Sequence, residues 1–213
     1  GDSALLLHEF KQVELTERAS ALLEALDTRV VIADGAMGTM LQDRKPTLED
    51  FEGHEGCNEV LNATRPDIVL DVHNAYFETG IDCVETNTFG ANWSNLSDYG
   101  IDDRIEELAE AGARLARQSA DGFTAKDSKP RWVLGSMGPG TKLPSLGHTT
   151  YDFLKETFAR QAKGLIAGGS DAFMVETSQD LLQTKAAING CKQAIVESGI
   201  RLPIFVEVTV ETT

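Results

Sequence analysis

The residues with chemical potential lie where apolar runs give way to carboxylates and glycines. Val30-Val31-Ile32-Ala33 leads into Asp34, then Gly35, Ala36, Met37 and Gly38, and a helical restart follows at Thr39-Met40-Leu41. A β-branched run of this kind predicts a strand that carries Asp34 to its C-terminal tip. The two glycines then let the backbone approach a ligand closely. Asp-Gly is also a common turn pair, so a plain strand–turn–helix junction fits the same residues. What favours a site is recurrence. Val84-Glu85-Thr86-Asn87, Gly135-Ser136-Met137-Gly138 and Val175-Glu176-Thr177-Ser178 make the same passage from apolar strand to polar or glycine-rich loop.

The elements that must position these tips follow from periodicity. Leu15 to Leu26 has apolar residues at helical spacing and predicts an amphipathic helix ahead of the first strand. Residues 42–64 are polar and punctuated by Pro46, Gly53 and Gly56, which predicts a long excursion of the kind that often carries function. Helices are expected over Pro66–Thr79, Ile101–Gly122, Tyr151–Ala167 and Leu181–Ser198, with Gly80, Gly168-Gly169 and Gly199 as stops. Strands are expected over Ile81–Thr86, Trp132–Ser136, Ala172–Val175 and from Pro203 to Val208 or beyond. Strands alternating with helices of this length imply right-handed βαβ units and a parallel sheet.

The fold class is therefore α/β. A Rossmann sheet is the rival to a barrel, but Asp34-Gly35-Ala36-Met37-Gly38 lacks the full G-x-G-x-x-G pattern. Polar tips on every strand suit a TIM-type (β/α)8 barrel, whose site is built at the C-terminal strand ends. Five strands are expected where a closed barrel needs eight, so the sequence reads as about the first five β/α units. Residues 1–27 are expected to be a leader and N-terminal helix, and 28–213 the partial barrel.

Composition narrows the function classes. The 213 residues are 41% apolar and 25% charged, a globular balance, and carry a formal charge of -15. That charge argues against nucleic-acid binding, which needs clustered Lys and Arg. No apolar stretch has transmembrane length and no signal-peptide pattern opens the chain, so a cytoplasmic protein away from the membrane is expected. Cys57, Cys83 and Cys191 are far apart, without zinc-ribbon or redox spacing, and are expected to be ordinary thiols. His8, His54, His73 and His148 lack a second ligand at short spacing; His73 falls mid-helix, on the outside of a barrel. Glu106, Glu107 and Glu110 read as a solvated helix face.

Taken in order, Asp34-Gly35-Ala36-Met37-Gly38-Thr39, Gly56-Cys57-Asn58-Glu59, His73-Asn74-Ala75-Tyr76-Phe77, Glu85-Thr86-Asn87-Thr88-Phe89-Gly90 and Val175-Glu176-Thr177 resemble the homocysteine-binding domain of cobalamin-dependent methionine synthases. The resemblance covers roughly residue 28 to the end. Betaine- and S-methylmethionine-homocysteine methyltransferases share the domain, while Cys57-Asn58-Glu59 and Thr86-Asn87-Thr88-Phe89 look more like the cobalamin branch.

The resemblance implies a barrel that binds L-homocysteine and zinc, the metal turning the thiol into a thiolate methylated to methionine. The methyl group would come from methylcobalamin on another module of the parent chain, recharged by methyltetrahydrofolate on a folate module. Glu176 matches the family's amino-group ligand, with Asp34 assisting, and Gly35, Ala36, Met37 and Gly38 would offer backbone N–H groups to the substrate carboxylate. Asn87 would face the cavity, Thr177 would hold Glu176, and Ser136, Met137, Gly138 and Gly140 would form a rim loop. For each, a capping, turn-forming or packing role is the bland alternative. The family's zinc cysteines belong to later strands, expected beyond Thr213, so this chain is expected to have no metal ligands and to be inactive alone. A non-catalytic half-barrel that binds an amino acid, or associates with itself through Ile204-Phe205-Val206-Glu207-Val208, is the reading from another class.

Overall fold

The computed structural model describes residues 8–208; most of the predicted leader and the end of the predicted last strand lie outside them. After one 3-10 turn at Phe10–Gln12, α1 spans Glu17–Thr28. It begins two residues later than apolar spacing predicts, because the Thr16 hydroxyl accepts the Ala19 N–H at 3.1 Å and caps it there. Then come β1 (Ala33–Asp34), α2 (Gly38–Asp43), α3 (Leu61–Thr64), α4 (Pro66–Glu78), β2 (Cys83–Glu85) and α5 (Trp93–Asp98). The chain continues through α6 (Ile105–Asp127), β3 (Trp132–Met137), α7 (Tyr151–Ala167), β4 (Ala172–Glu176), α8 (Leu181–Ser198) and β5 (Ile204–Glu207). The predicted excursion at 42–64 is broken into turns at Glu49–Phe51 and Asn58–Val60 and then α3.

All five strands pair in parallel, in the sequential order β1-β2-β3-β4-β5. A doubly wound sheet reverses its strand order at a switch point. This one does not, so every right-handed crossover lays its helix on the same face and the sheet curls the other way. The result is a half-barrel.

Alternation along the strands sorts side chains between two layers. Cys83, Trp132, Leu134, Ala172, Met174 and Phe205 point into the concave face, where Leu22 of α1 packs on them. Val84 and Val133 point outward onto Phe77 of α4 and Ala116 and Ala120 of α6. Phe173 and Val175 join the cluster of α7 and α8 around Phe158, Leu165 and Cys191. Helix α1 thus closes the N-terminal end of the half-barrel, and full burial of Leu22 there contributes about 1.5–3 kcal/mol.

A polar clamp fixes α1 in place. The wholly buried Asp171 carboxylate accepts from Arg18 Nε at 2.7 Å, Arg117 Nη1 at 2.7 Å and the Val133 N–H at 2.9 Å. The Trp132 indole N–H also donates to the Arg18 carbonyl at 3.0 Å.

β1 is shorter than the sequence predicts. It pairs only with β2 among the described strands, and Val30 and Ile32 are 82% and 55% exposed. The Asp82 carboxylate accepts the Ile32 N–H at 2.9 Å in place of a ladder bond. Among the described residues, no helix is long and apolar enough to cross a membrane.

Candidate functional site

At the C-terminal strand ends lies a cavity of about 350 Å³. β1 and its loop contribute Gly35, Ala36, Met37 and Gly38; β2 contributes Glu85, Thr86, Asn87 and Phe89; β3 contributes Ser136. β4 adds Met174 and Glu176, β5 adds Glu207, and the 3-10 turn of the long excursion adds Asn58 and Glu59. Among the described residues the lining therefore holds four carboxyl groups, at Glu59, Glu85, Glu176 and Glu207, and no Lys, Arg or His.

Register decides which tip residues face inward. Asp34 pairs with Val84, which points to the helical layer, so Gly35 is the residue that stands beside Glu85 on the inner wall. Asp34 does not line the cavity, and its carboxylate accepts the next N–H, that of Gly35, at 2.7 Å. Gly35 is a glycine for a steric reason. A Cβ there would overlap Glu85 Cβ and its backbone.

The loop after β1 is tied to α4, since the Tyr76 hydroxyl donates to the Ala36 carbonyl at 2.6 Å. The β2 tip is held by a buried network. Asn87 Nδ2 donates to the Asn58 carbonyl at 2.9 Å and to Asn62 Oδ1 at 3.0 Å, so both amide protons of Asn87 are spent on the scaffold. Thr86 and Thr88 hydroxyls lie 2.6 Å apart; Thr88 donates to the Ser136 carbonyl at 2.7 Å, and Ser136 N–H to Thr86 Oγ1 at 3.0 Å. Gln161 of α7 supports the loop with a 2.9 Å bond to the Thr88 carbonyl. The Phe89 ring, 48% exposed, lies over Gly138, where a Cβ would collide with it.

The electrostatics follow from burial without cations. Burial raises the Glu85 carboxyl above its ordinary value, and the charges of Glu207, Glu176 and Asp34 push it further. Burial likewise raises Glu59, against the lowering effect of its own N–H and that of Gly90. Asn58 Oδ1 is buried with no hydrogen-bond partner.

Of the residues singled out in the sequence, Gly35, Ala36, Met37, Gly38, Asn87 and Glu176 are brought to one cavity. Thr177 is not in that lining; its N–H donates to the Glu207 carbonyl at 2.9 Å, and it opens on a neighbouring cavity with Gly140, Glu176 and Ser178. Glu59, Glu85 and Glu207 were not named as binding residues from sequence. Glu85 carries the same signal as Glu176, a carboxylate closing an apolar strand, whereas Glu59 has only its position in the Gly56–Glu59 motif.

The residues present do not fit zinc. Among the described residues no group of three or more His, Cys, Asp or Glu is arranged to hold a metal. All three cysteines are buried and none lines the cavity. Burial pushes the Cys57 thiol up to about 11 and Cys83 up to about 12, and raises Cys191 as well.

The family model described as Homocysteine S-methyltransferase matches residues 31–213. The methionine synthase of Mycobacterium leprae (strain TN) is 57% identical over 192 residues, covering 90% of this chain and 16% of the relative. That of Mycobacterium tuberculosis (strain ATCC 25618 / H37Rv) is 55% identical over the same shares. The chain thus spans 16% of the length of these curated relatives. The homocysteine methyltransferase MmuM of Escherichia coli in its metallated form superposes with a TM-score of 0.68 at 21% identity, over 88% of this chain and 65% of that one. Its apo form gives 0.63 at 19% identity, over 87% and 62%. At such identities the likeness is one of fold.

Proposed function

The chain belongs to the homocysteine S-methyltransferase family, and from that premise we propose that its strand-tip cavity binds the amino-acid end of L-homocysteine. Glu176 meets the ammonium, while the N–H groups of Gly35 to Gly38 receive the carboxylate, as loops leading into helices do for anions. The observation that supports this most is the lining itself, which opposes Glu176 to a glycine-bearing loop and contains no basic side chain. Asn87 orients the loop rather than the ligand, because its amide protons are already bonded. Asp34 and Thr177 act as positioning residues, Asp34 by turning the chain at Gly35 and Thr177 by tying Glu176 to β5.

For the whole protein we infer methyl transfer to the homocysteine thiol, giving methionine, in the cytoplasm. Methylcobalamin recharged by methyltetrahydrofolate, each on its own module, is the donor in this reading, and zinc activates the thiol. It rests on the names of the mycobacterial relatives and on the resemblance of the motifs. The described residues of this chain do not themselves fit zinc.

The test is calorimetric titration of the 213-residue chain with L-homocysteine, with and without zinc. Weak binding that needs no zinc and is lost in Glu176→Ala is the expected result. Absence of binding in both conditions would sink the proposal.

A second reading concerns the open sheet. Val206 within β5, Val208 just after it, and Val30 and Ile32 ahead of β1 are exposed apolar residues at edges that have no further strand among the described residues. Such edges template pairing, so we infer concentration-dependent self-association. Sedimentation velocity showing a monomer across the accessible concentration range would reject it.

A further inference from the structure

We propose that Glu85 is a second ligand-binding carboxylate, which cradles the ammonium together with Glu176 and releases its proton to solvent when the ligand binds. The inference rests on the reading of the cavity as an amino-acid site.

It begins from the donor count. An ammonium presents three N–H donors, more than one carboxylate satisfies well. Glu85 ends β2 and Glu176 ends β4, with β3 between them, so their strands stand roughly 10 Å apart at ordinary sheet spacing. Both side chains line the same concave wall, with Ser136 of β3 between them. Glu85 is level with Leu134 and Glu176 lies two residues past Met174, the partner of Ser136, so the two carboxylates flank Ser136 diagonally and a group over Ser136 lies between them. Gly35 keeps that path open by presenting no side chain against Glu85.

Charge then demands a proton. The charges acting on Glu85 are those of Glu207 from β5 and Glu176 from β4, which share its cavity, and of Asp34 at the tip of β1, all acidic. Glu59 lines the same cavity from the long excursion, and among the described residues no Lys, Arg or His lines it. In the empty cavity these neighbours and burial favour the protonated form of Glu85. A ligand ammonium reverses the local balance. Protonated protein and cationic ammonium become a complex of ionised Glu85 with the ammonium, and one proton leaves to water.

The experiment is calorimetric titration with L-homocysteine in paired buffers of different ionisation enthalpy, between about pH 5 and about pH 7.5, where the ligand's own amino and thiol groups stay protonated. The expected result is proton release of up to one per ligand. Affinity should rise by up to about 10-fold per pH unit on the acid side and then level off. Glu85→Gln should bind about 10-fold or more weakly and release no proton. That variant should also melt higher than the wild type at neutral pH, because the unfolded Glu85 ionises freely while the folded one resists ionisation and Gln carries no such penalty, so weakened binding would not reflect misfolding. 4-Mercaptobutanoate, which lacks the ammonium, should bind without proton release.

Proton release that persists in Glu85→Gln would assign it to Glu59 or another group and overturn the proposal. Wild-type binding without proton release would overturn it too. Failure of homocysteine to bind the wild type at all would instead remove the amino-acid reading of the cavity, and this inference with it.

Discussion

Gly35 and Glu85 stand side by side on the inner wall of the half-barrel, so close that the space of a Cβ on one is filled by the Cβ and backbone of the other. The strand-tip cavity depends on this contact, because it sets how near β1 and β2 approach at their C-terminal ends. Gly35→Ala should force the two strands apart. A cost of about 1–3 kcal/mol in urea unfolding is expected, with loss of homocysteine binding in the same variant. Unchanged stability would mean that the tip of β1 yields freely.

Asp171 should be the most sensitive polar residue at the opposite end. Its carboxylate is wholly buried between Arg18 and Arg117, and removing it leaves Arg117, which is only 11% exposed, with Asp121 as its one remaining carboxylate among the described residues. Asp171→Ala should destabilise the fold by about 3–5 kcal/mol, as expected when one partner of a buried ion pair is removed. A loss under about 1 kcal/mol in chemical denaturation would show that Arg117 finds other partners easily.

His73 predicts an acid limb in stability. It is fully buried with neither ring nitrogen hydrogen-bonded, and burial holds its pKa down to about 4. The unfolded chain takes up that proton first, so stability is unaffected above about pH 6.5 and falls as the pH drops toward 4. The loss should approach roughly 3 kcal/mol by pH 4. His73→Leu should flatten this part of the profile; an identical slope in wild type and variant would assign the limb to carboxylates instead.

Glu59 predicts the opposite sign. Burial raises its carboxyl, so the native form resists ionisation and its contribution is lost as the pH rises through the native pKa. Glu59→Gln should therefore be more stable than wild type at neutral pH, with the difference shrinking toward pH 4. Equal urea midpoints at both values would show that water or a ligand reaches this carboxyl.

The thiols offer a simple check on packing. Cys57, Cys83 and Cys191 are buried and their thiolates disfavoured, so none should react quickly with a disulfide reagent in the native state. All three should titrate in denaturant. A fast native thiol would contradict the burial described above.

Much of the architecture was legible because local signals agreed. Tyr151–Ala167 and Leu181–Ser198 match their predicted limits, with Thr150 and Asp180 side chains accepting the first free N–H groups. The short helix Trp93–Asp98 was not legible, since its start depends on one Asn92 side-chain bond to the Asn95 N–H. β1 was over-read because Val30–Ile32 has strand composition but too few partners. At the site, the recurrence of acidic strand tips was visible, yet Asp34 and Glu85 looked alike. Only the pairing of Asp34 with Val84 turns the first away from the cavity and leaves the second inside. Register is a relation between strands, and no single stretch of residues encodes it.

The Arg18–Asp171 contact joins residues 153 positions apart. On the ribosome α1 is therefore made long before its anchor exists, and Leu22 has no completed floor to cover until β5 emerges. The sheet itself has no such delay, because each strand pairs with the one synthesised just before it. Growth of the half-barrel can thus proceed strand by strand, while the helix that plugs its base gains its anchor only once Asp171 has been translated.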